Sequence, residues 1–251
     1  MFPAEKGFGK EERNSKSRIA VVLHREPART GWLRRLLQQS GFVLDTYSPM
    51  LGQKLPDTLE NYAGVVILGG PMSVNDEDAY IRKEIDWISL SLKDNKPFLG
   101  VCLGAQMLAR NLGGRVGARS DGVVEVGWYP LETTPQGRAL IDWPEMVYHF
   151  HSEGIHDLPK GAVLLARSQA YPVQAFRYGN NAWGWQFHAE FTRAMIRRLL
   201  MDSAQDLTKK GAQPALAHLE GCLIYDWALH KWFEKILRRI FGVSPALSYE
   251  G

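Results

Sequence analysis

The sequence predicts an α/β protein built on a three-layer open sheet, mostly parallel and doubly wound, with helices on both faces. Through the first half of the chain, short apolar segments rich in β-branched residues alternate with amphipathic segments. Such alternation is typical of parallel strands joined by helices that cover both faces of one sheet. The chain has 251 residues, 45% of them hydrophobic and 23% charged, which suffices for one large core without disulfide bonds.

Four strands and three helices are predicted in the first half. The strands are continuous apolar runs, which indicates that they are buried. The first helix ends at Gly41, a residue type that commonly terminates helices. The predicted strands are 18–26, 42–48, 63–70 and 97–101, and the predicted helices are 28–41, 78–95 and a segment directly behind Cys102.

The second half has a different pattern. Residues 121–134 alternate between apolar and polar side chains, which predicts antiparallel pairing, and three more short strands follow, the last being "AWGWQFH" at 182–188. A helix is predicted over 192–210. Behind Pro214, the apolar C-terminal segment is long enough for one or two docked helices, and its aromatic residues either cover the chain's own core or face another protein. The residues that would face a partner are Trp227, Trp232 and Phe233.

The chain is predicted to form a single domain over residues 18–251, with a helical tail from about 212 and a disordered or loosely attached leader at 1–17. Lys and Arg are largely matched by Asp and Glu, giving a net charge of +3, so we expect no nucleic-acid partner. No apolar run approaches the roughly 20 residues that span a membrane, and the leader lacks the apolar segment of a secretory signal. With only two cysteines, we expect reduced thiols and a cytoplasmic location.

One of the two cysteines, Cys102, stands where the fourth predicted strand turns into a helix. Active sites of open α/β sheets form at the carboxyl ends of the strands. Gly100 and Gly104 flank the cysteine, as expected for an elbow where strand and helix crowd each other and the side chain points outward. The helix N-terminus would stabilise a thiolate, and its N–H groups could hold an oxyanion. From its position alone, a packed core cysteine is the alternative.

A cysteine nucleophile needs a base, and the base needs an orienting partner. Of the seven histidines, His188 ends a predicted strand at the rim where Cys102 is expected. Glu190 follows two residues later, close enough to turn back and hold the imidazole. A solvated loop pair is the alternative for this spacing alone, and the cysteine elbow favours the catalytic interpretation.

Three segments together resemble the class I glutamine amidotransferase family. "GVCLGAQ" is similar to the family's nucleophile motif G-x-C-x-G-x-Q, "GWQFHAE" to its G-x-Q-F-H-P-E, and "ILGGPMSV" to its oxyanion strand with G-G-P-x-S. The resemblance covers about residues 18–205. Weaker similarities point to the glutaminase domain of GMP synthetase and its stand-alone relatives. Ala189 stands where the family usually has proline, a departure that removes no catalytic group.

The resemblance implies a role for each matching residue. Cys102 would attack the side-chain carbonyl of glutamine, His188 would pass the proton to the leaving ammonia, and Glu190 would orient His188. Backbone N–H groups of Gly70 and Leu103 would form the oxyanion hole. The implied substrate-binding residues are Gly69, Gln106, His151 and Ser152. From the residues alone, the two glycines could instead form a tight turn, and Gln106 could be a solvated amide.

No cofactor and no metal are expected. His149, His151 and His156 share one predicted loop, without a cysteine and without the ligand spacing of a metal site. The chain also contains neither a G-x-x-x-x-G-K-[ST] loop nor an S-x-G-G-x-D-S loop for ATP. The second cysteine, Cys222, lies on an apolar helical face and is predicted to be a core residue.

Three functions remain open. The first is a glutamine amidotransferase subunit whose ammonia passes to a synthetase partner chain. The second is a stand-alone hydrolase that cleaves γ-glutamyl peptides or amides through the same acyl-enzyme. The third is a non-catalytic relative that binds glutamine or a partner, and the intact Cys102, His188 and Glu190 argue against it. The roughly 45 residues beyond the matching region are too few for a synthetase domain.

Overall fold

The computed structural model describes residues 18–24 and 30–242, which form twelve strands, six α-helices and two short 3₁₀ helices, Pro49–Leu51 and Asp206–Thr208. The strands are β1 (Arg18–Val22), β2 (Val43–Tyr47), β3 (Gly64–Ile67), β4 (Phe98–Val101), β5 (Arg115–Ala118), β6 (Glu125–Pro130), β7 (Glu132–Thr133), β8 (Met146–His151), β9 (Glu153–Asp157), β10 (Ala162–Arg167), β11 (Ala175–Tyr178) and β12 (Ala182–Trp185). The helices are α1 (Gly31–Gln39), α2 (Ala79–Lys93), α3 (Leu103–Asn111), α4 (Pro135–Arg138), α5 (Arg193–Asp202) and α6 (Ala215–Phe241).

Eight strands form the central sheet, in the order β2-β1-β3-β4-β12-β11-β10-β7. The five strands from β2 to β12 are parallel, and β11, β10 and β7 extend the sheet with antiparallel pairing. Two ribbons stand apart from this sheet, one formed by β5 and β9 and the other by β6 and β8. The predicted α/β class, with a mostly parallel sheet, is confirmed.

The sheet separates two hydrophobic cores, because successive side chains of a strand point to opposite faces. Ile19 and Val21 of β1 pack in the core that contains residues of α1, α5 and α6. Their neighbours Ala20 and Val22 pack in the other core, with residues of α2 and α3. All four side chains are fully buried, so β1 is covered on both faces, as the doubly wound arrangement requires.

The C-terminal segment forms one helix of 27 residues, α6, rather than two. Pro214 precedes it, and Gly242 ends it in the left-handed conformation that suits glycine (φ 67°). Trp232 and Phe233 are buried in the core beside α1 and the sheet, whereas Trp227 is 73% exposed. The tail therefore covers the chain's own core with one face and presents an apolar side chain on another.

Two local predictions were wrong. The helix predicted over 192–210 ends at Asp202 and is followed by a short 3₁₀ turn, Asp206–Thr208. The predicted loop around His149 and His151 is the ordered strand β8, paired with β6. The predicted leader, residues 1–17, lies outside the described residues, and the division into leader, domain and tail stays a prediction. Among residues 18–24 and 30–242, no helix combines the length and apolar character of a membrane span.

Candidate active site

Three neighbouring parallel strands end at the same edge of the sheet, and the predicted site residues follow them directly. Ile67 of β3 pairs with Gly100 of β4, and Val101 of β4 pairs with Trp185 of β12. The segments behind these strands carry Gly69, Cys102 and His188, respectively. The topology therefore brings together three motifs that are far apart in the sequence, at the position where open α/β sheets form their sites.

Cys102 occupies a strained elbow between β4 and α3. Its φ of 52° and ψ of −106° are unusual for a residue with a side chain, and such strain persists where the surrounding structure holds it. The Cys102 N–H donates to the Trp185 carbonyl (2.8 Å), and its own carbonyl accepts from the Gln106 N–H (3.0 Å). A Cβ on Gly100 would lie 2.4 Å from the Gly104 carbonyl oxygen, so the elbow requires a glycine there. The elbow predicted from the two glycines is thus present.

His188 and Glu190 form a buried pair beside this cysteine. His188 Nδ1 lies 2.7 Å from Glu190 Oε1, and the two side chains are 6% and 2% exposed. Because Nδ1 faces the carboxylate, Nε2 is the ring nitrogen left for Cys102, whose side chain lies beside the imidazole: a Cβ built on Gly69 would approach both of them. The Phe191 ring stacks on the imidazole, with 4.2 Å between the ring centroids. The contact with α1 fixes the other end of the pair, since the Trp32 N–H donates to the Glu190 carbonyl (2.8 Å).

The electrostatic surroundings favour a charged imidazole. Burial lowers the pKa of His188, but the negative charges of Glu190 and Cys102, with the hydrogen bond to Glu190, outweigh burial and raise the pKa to about 10. An imidazolium beside a sulfur atom stabilises a thiolate, the form in which cysteine acts as a nucleophile. The pair can therefore store the proton that a leaving group later needs.

The glycines behind β3 line the other side of the cysteine. A Cβ on Gly69 would lie 2.9 Å from the His188 ring and 3.3 Å from Cys102 Cβ, so Gly69 faces both side chains. A Cβ on Gly70 would meet His24 at 2.5 Å and the Leu103 side chain at 3.0 Å. The two residues predicted to supply oxyanion N–H groups, Gly70 and Leu103, are therefore adjacent, and close packing excludes a side chain at the first of them.

A polar pocket opens on one side of Cys102. It contains the three remaining predicted substrate residues, Gln106, His151 and Ser152. Gln106 is not a solvated amide, because it is buried and its Nε2 donates to the Glu153 carbonyl (2.9 Å). The Gln106 hydrogen bond thus links α3 to the segment that carries His151 and Ser152. Whether these residues bind substrate stays a prediction.

Four polar residues of this pocket were missed in the sequence. Ser73 Oγ donates to Glu153 Oε2 (2.7 Å), and Lys209 Nζ lies 2.6 Å from Asp206 Oδ1. All four line the pocket, which thereby offers charges of both signs near Cys102. The serine belongs to the "GGPMSV" motif and could have been recognised there. The Asp206–Lys209 pair could not, because it was expected inside a helix.

The histidines of β8 belong to a buried network behind the pocket. His151 Nε2 lies 3.1 Å from both His149 Nδ1 and Glu125 Oε2, and Glu125 Oε2 lies 3.7 Å from His149 Nδ1. Burial raises the pKa of Glu125, but the two histidines outweigh it and bring the value to about 2. Burial lowers the pKa of His149 to about 3. Gln174 also donates to the carboxylate, and His151 Nδ1 faces the Glu153 carbonyl (2.9 Å).

The same three residues are the group within 18–24 and 30–242 whose side chains could hold a metal ion. The expectation that these histidines lack ligand spacing was wrong for His149 and His151, because alternate residues of a strand share one face. Glu125 of the paired strand faces both of them. The hydrogen bonds among the three side chains also account for their close approach.

A second, apolar cavity opens on the His188 side of Cys102. It is lined by Gly69, Gly70, Cys102, His188 and Glu190, together with His24 and a group of apolar side chains. The apolar side chains are Leu23, Leu68, Phe150, Phe191 and Leu199. His24 closes one wall, with Nδ1 3.1 Å from the Leu68 carbonyl and Nε2 2.6 Å from Glu84. Cys102 is therefore shared by a polar pocket and an apolar cavity.

The sequence comparisons agree with these motifs. Residues 31–202 match the family model described as glutamine amidotransferase class-I. The glutamine amidotransferase-like protein YfeJ of Salmonella typhimurium is 28% identical over 200 residues, which cover 76% of this chain and 82% of YfeJ. Gamma-glutamyl peptidase 5 of Arabidopsis thaliana is 30% identical over 57% of this chain and 59% of its own length. A GMP synthase of Aeropyrum pernix is 34% identical over 68% of this chain, but over only 32% of the synthase.

A solved structure shares the fold over almost the whole chain. The crystal structure of a glutamine amidotransferase from Thermotoga maritima is 32% identical and superposes with a TM-score of 0.79. The superposition covers 90% of this chain and 98% of that protein.

Proposed function

Because the chain belongs to the class I glutamine amidotransferase family, we propose that it hydrolyses the side-chain amide of glutamine or of a γ-glutamyl compound through a cysteine thioester. The observation that supports this most directly is the strained Cys102 elbow in contact with the buried His188–Glu190 pair. Nucleophile, base and orienting acid are the three parts that such chemistry needs. Their arrangement argues against a role limited to binding.

The proposed reaction has two steps. In the first, the Cys102 sulfur attacks the γ-carbonyl carbon, the C–N bond breaks, and His188 gives its proton to the leaving nitrogen. The oxyanion that forms on the way is stabilised by the backbone N–H groups of Gly70 and Leu103, which need no reorganisation. In the second step, water attacks the thioester while His188 accepts a proton, and glutamate and the free thiol are released. Glu190 orients the imidazole and stabilises its charge throughout.

The polar pocket would hold the amino-acid end of the substrate. A glutamyl group carries an ammonium and a carboxylate at its far end, and the pocket supplies partners of both signs. Glu153 and Asp206 suit the ammonium, whereas Lys209 and backbone N–H groups near Ser152 suit the carboxylate. With these contacts made, the γ-carbonyl would lie against Cys102, which both cavities share.

The acceptor of the released nitrogen distinguishes two forms of this proposal. In the amidotransferase form, a separate synthetase chain takes up the ammonia, as the similarity to GMP synthases suggests. In the hydrolase form, water is the acceptor and no partner is needed. The similarity to a protein named gamma-glutamyl peptidase and the apolar cavity beside His188 support the hydrolase form.

The test is a substrate screen of the purified chain. Glutamine and γ-glutamyl compounds are incubated with the wild type, Cys102→Ala and the matched control Cys222→Ala, and released glutamate and ammonia are measured. We expect the wild type and the Cys222 variant to release glutamate and the Cys102 variant to release none, with unchanged circular dichroism. Activity that survives in Cys102→Ala refutes the nucleophile. A folded wild type that releases no glutamate from any compound supports the binding role, unless a co-purifying synthetase restores turnover.

A further inference from the structure

Cys102 has a cavity on each side, and only one of them suits the glutamyl group. The polar pocket carries the charged side chains that an amino acid needs, whereas five leucine and phenylalanine side chains line the second cavity. Glutamine leaves only ammonia on that second side. A cavity that surrounds His188 and has room for several water-sized groups is larger than ammonia requires.

The position of His188 identifies what the second cavity receives. Because Nδ1 is held by Glu190, the leaving nitrogen must take its proton from Nε2, the atom that faces Cys102. The leaving group therefore lies on the His188 side while the C–N bond breaks. Any substituent on that nitrogen projects into the space lined by Leu68, Phe191 and Leu199.

The charges around this cavity indicate which substituents it accepts. No lysine or arginine stands among the described residues of its lining. The imidazole of His188 is paired with Glu190, and that of His24 with Glu84. A carboxylate on the substituent would thus lose its water without gaining a free cation from residues 18–24 and 30–242, which is costly, whereas an alkyl or aryl group gains from burial.

We propose that the cavity lined by Leu23, Leu68, Phe191 and Leu199 is a leaving-group subsite for γ-glutamyl amides of apolar amines. γ-Glutamyl–NH–R and water yield glutamate and R–NH₂. The C–S bond forms as the C–N bond breaks, His188 supplies the proton of the amine, and water restores the thiol. This inference rests on the proposed function and specifies its substrate class.

The first experiment measures kcat/KM of the full chain on γ-glutamyl methylamide, ethylamide, propylamide and butylamide, with glutamate release as the common readout. Each methylene that becomes buried contributes roughly fourfold. We therefore expect the butylamide to exceed the methylamide by at least about tenfold. γ-Glutamyl-norvaline carries the same carbon chain as the butylamide plus one carboxylate, and we expect its kcat/KM to be at least about tenfold below that of the butylamide.

The second experiment changes the size of the cavity. Leu199→Phe reduces the space, so the butylamide-to-methylamide ratio of kcat/KM should fall toward one. Leu199→Ala enlarges the cavity, so the alkyl substituent that gives the highest kcat/KM should be a longer one. Met201 lies on the same helix, α5, and its side chain is 72% exposed. Met201→Ala should therefore leave the butylamide-to-methylamide ratio of kcat/KM unchanged. Because the result is a ratio within one variant, partial loss of folded protein does not affect it.

The possible results separate this inference from the proposed function. If the protein hydrolyses glutamine but kcat/KM does not change from the methylamide to the butylamide, the result overturns the subsite alone. The cavity would then be a path for ammonia. A preference for γ-glutamyl-norvaline over the butylamide overturns the apolar specificity. A folded protein that hydrolyses none of these compounds overturns the proposed function, and the subsite with it.

Discussion

Gly104 is a position where the fold and the site both depend on one missing methyl group. A Cβ built there would lie 2.1 Å from the Ile67 carbonyl oxygen and 2.7 Å from its carbon, whereas ordinary contacts begin at 3.4 Å. Gly104→Ala must therefore push α3 away from the end of β3 by about 1.3 Å. Overpacking of this kind costs about 1–3 kcal/mol, which corresponds to a loss of roughly 2–12 °C in Tm.

The displacement should reduce activity by more than the stability loss explains. Leu103 precedes Gly104, and Gly70 lies just beyond Ile67, so both proposed oxyanion N–H groups move with the contact. A misplacement of about 1 Å at a reacting centre can cost roughly 100-fold in rate. We therefore expect kcat/KM for glutamine to fall about 100-fold at a temperature where the variant is fully folded.

Thermal unfolding and steady-state kinetics on matched samples test this prediction. Gly117→Ala is the control, because nothing lies within 4 Å of a Cβ at this strand position, and we expect its stability to stay within about 0.5 kcal/mol of the wild type. If Gly104→Ala matches Gly117→Ala in both Tm and kcat/KM, then close packing at the elbow is not what holds the site.

Three further predictions concern the charges, the thiols and the tail. An alkylating glutamine analogue should modify Cys102 and spare Cys222, since burial raises the pKa of the Cys222 thiol to about 11, and peptide mapping that finds the opposite contradicts the assignment. Glu190→Gln removes a charge that raises the pKa of His188. The decline of kcat/KM at high pH, expected near pH 10, should therefore move to lower pH. A decline that stays at the same pH argues against the His188–Glu190 pair. Trp232→Ala should cost about 3–5 kcal/mol in urea unfolding, whereas the exposed Trp227→Ala should cost less than about 0.5 kcal/mol, and equal losses would show that α6 does not pack as described.

The parts of the site that were predictable are those set by short segments. The glycines around Cys102 indicate the elbow because they reflect local crowding of strand and helix. The two-residue spacing from His188 to Glu190 is equally local, and the structure pairs these side chains at 2.7 Å. The alternation of apolar runs and amphipathic segments predicted the parallel sheet for the same reason, since each element carries its own periodicity.

The parts that were missed depend on pairing between distant segments. Glu125 contacts His149 and His151 only because β6 and β8 are antiparallel neighbours. No local sequence pattern indicates the register of these two strands. The Asp206–Lys209 pair reaches the polar pocket because α5 ends at Asp202, eight residues before its periodicity suggested. The apolar cavity combines residues from several separate elements, so it becomes visible only once they are packed together.

The position of Cys102 between two unlike cavities separates chemistry from substrate choice. Backbone hydrogen bonds to Trp185 and from Gln106 fix the elbow, and close contacts at Gly100 and Gly104 leave it little freedom. None of these contacts involves a side chain that would touch the amine of a substrate. Leu199 lies instead on α5, which lines the apolar cavity without carrying any part of the proposed nucleophile, base or oxyanion site. Under the proposed function, we expect substitutions there to change which amide is cleaved while the proposed nucleophile and base stay in place, so the specificity of this chain should be far easier to alter than its reaction.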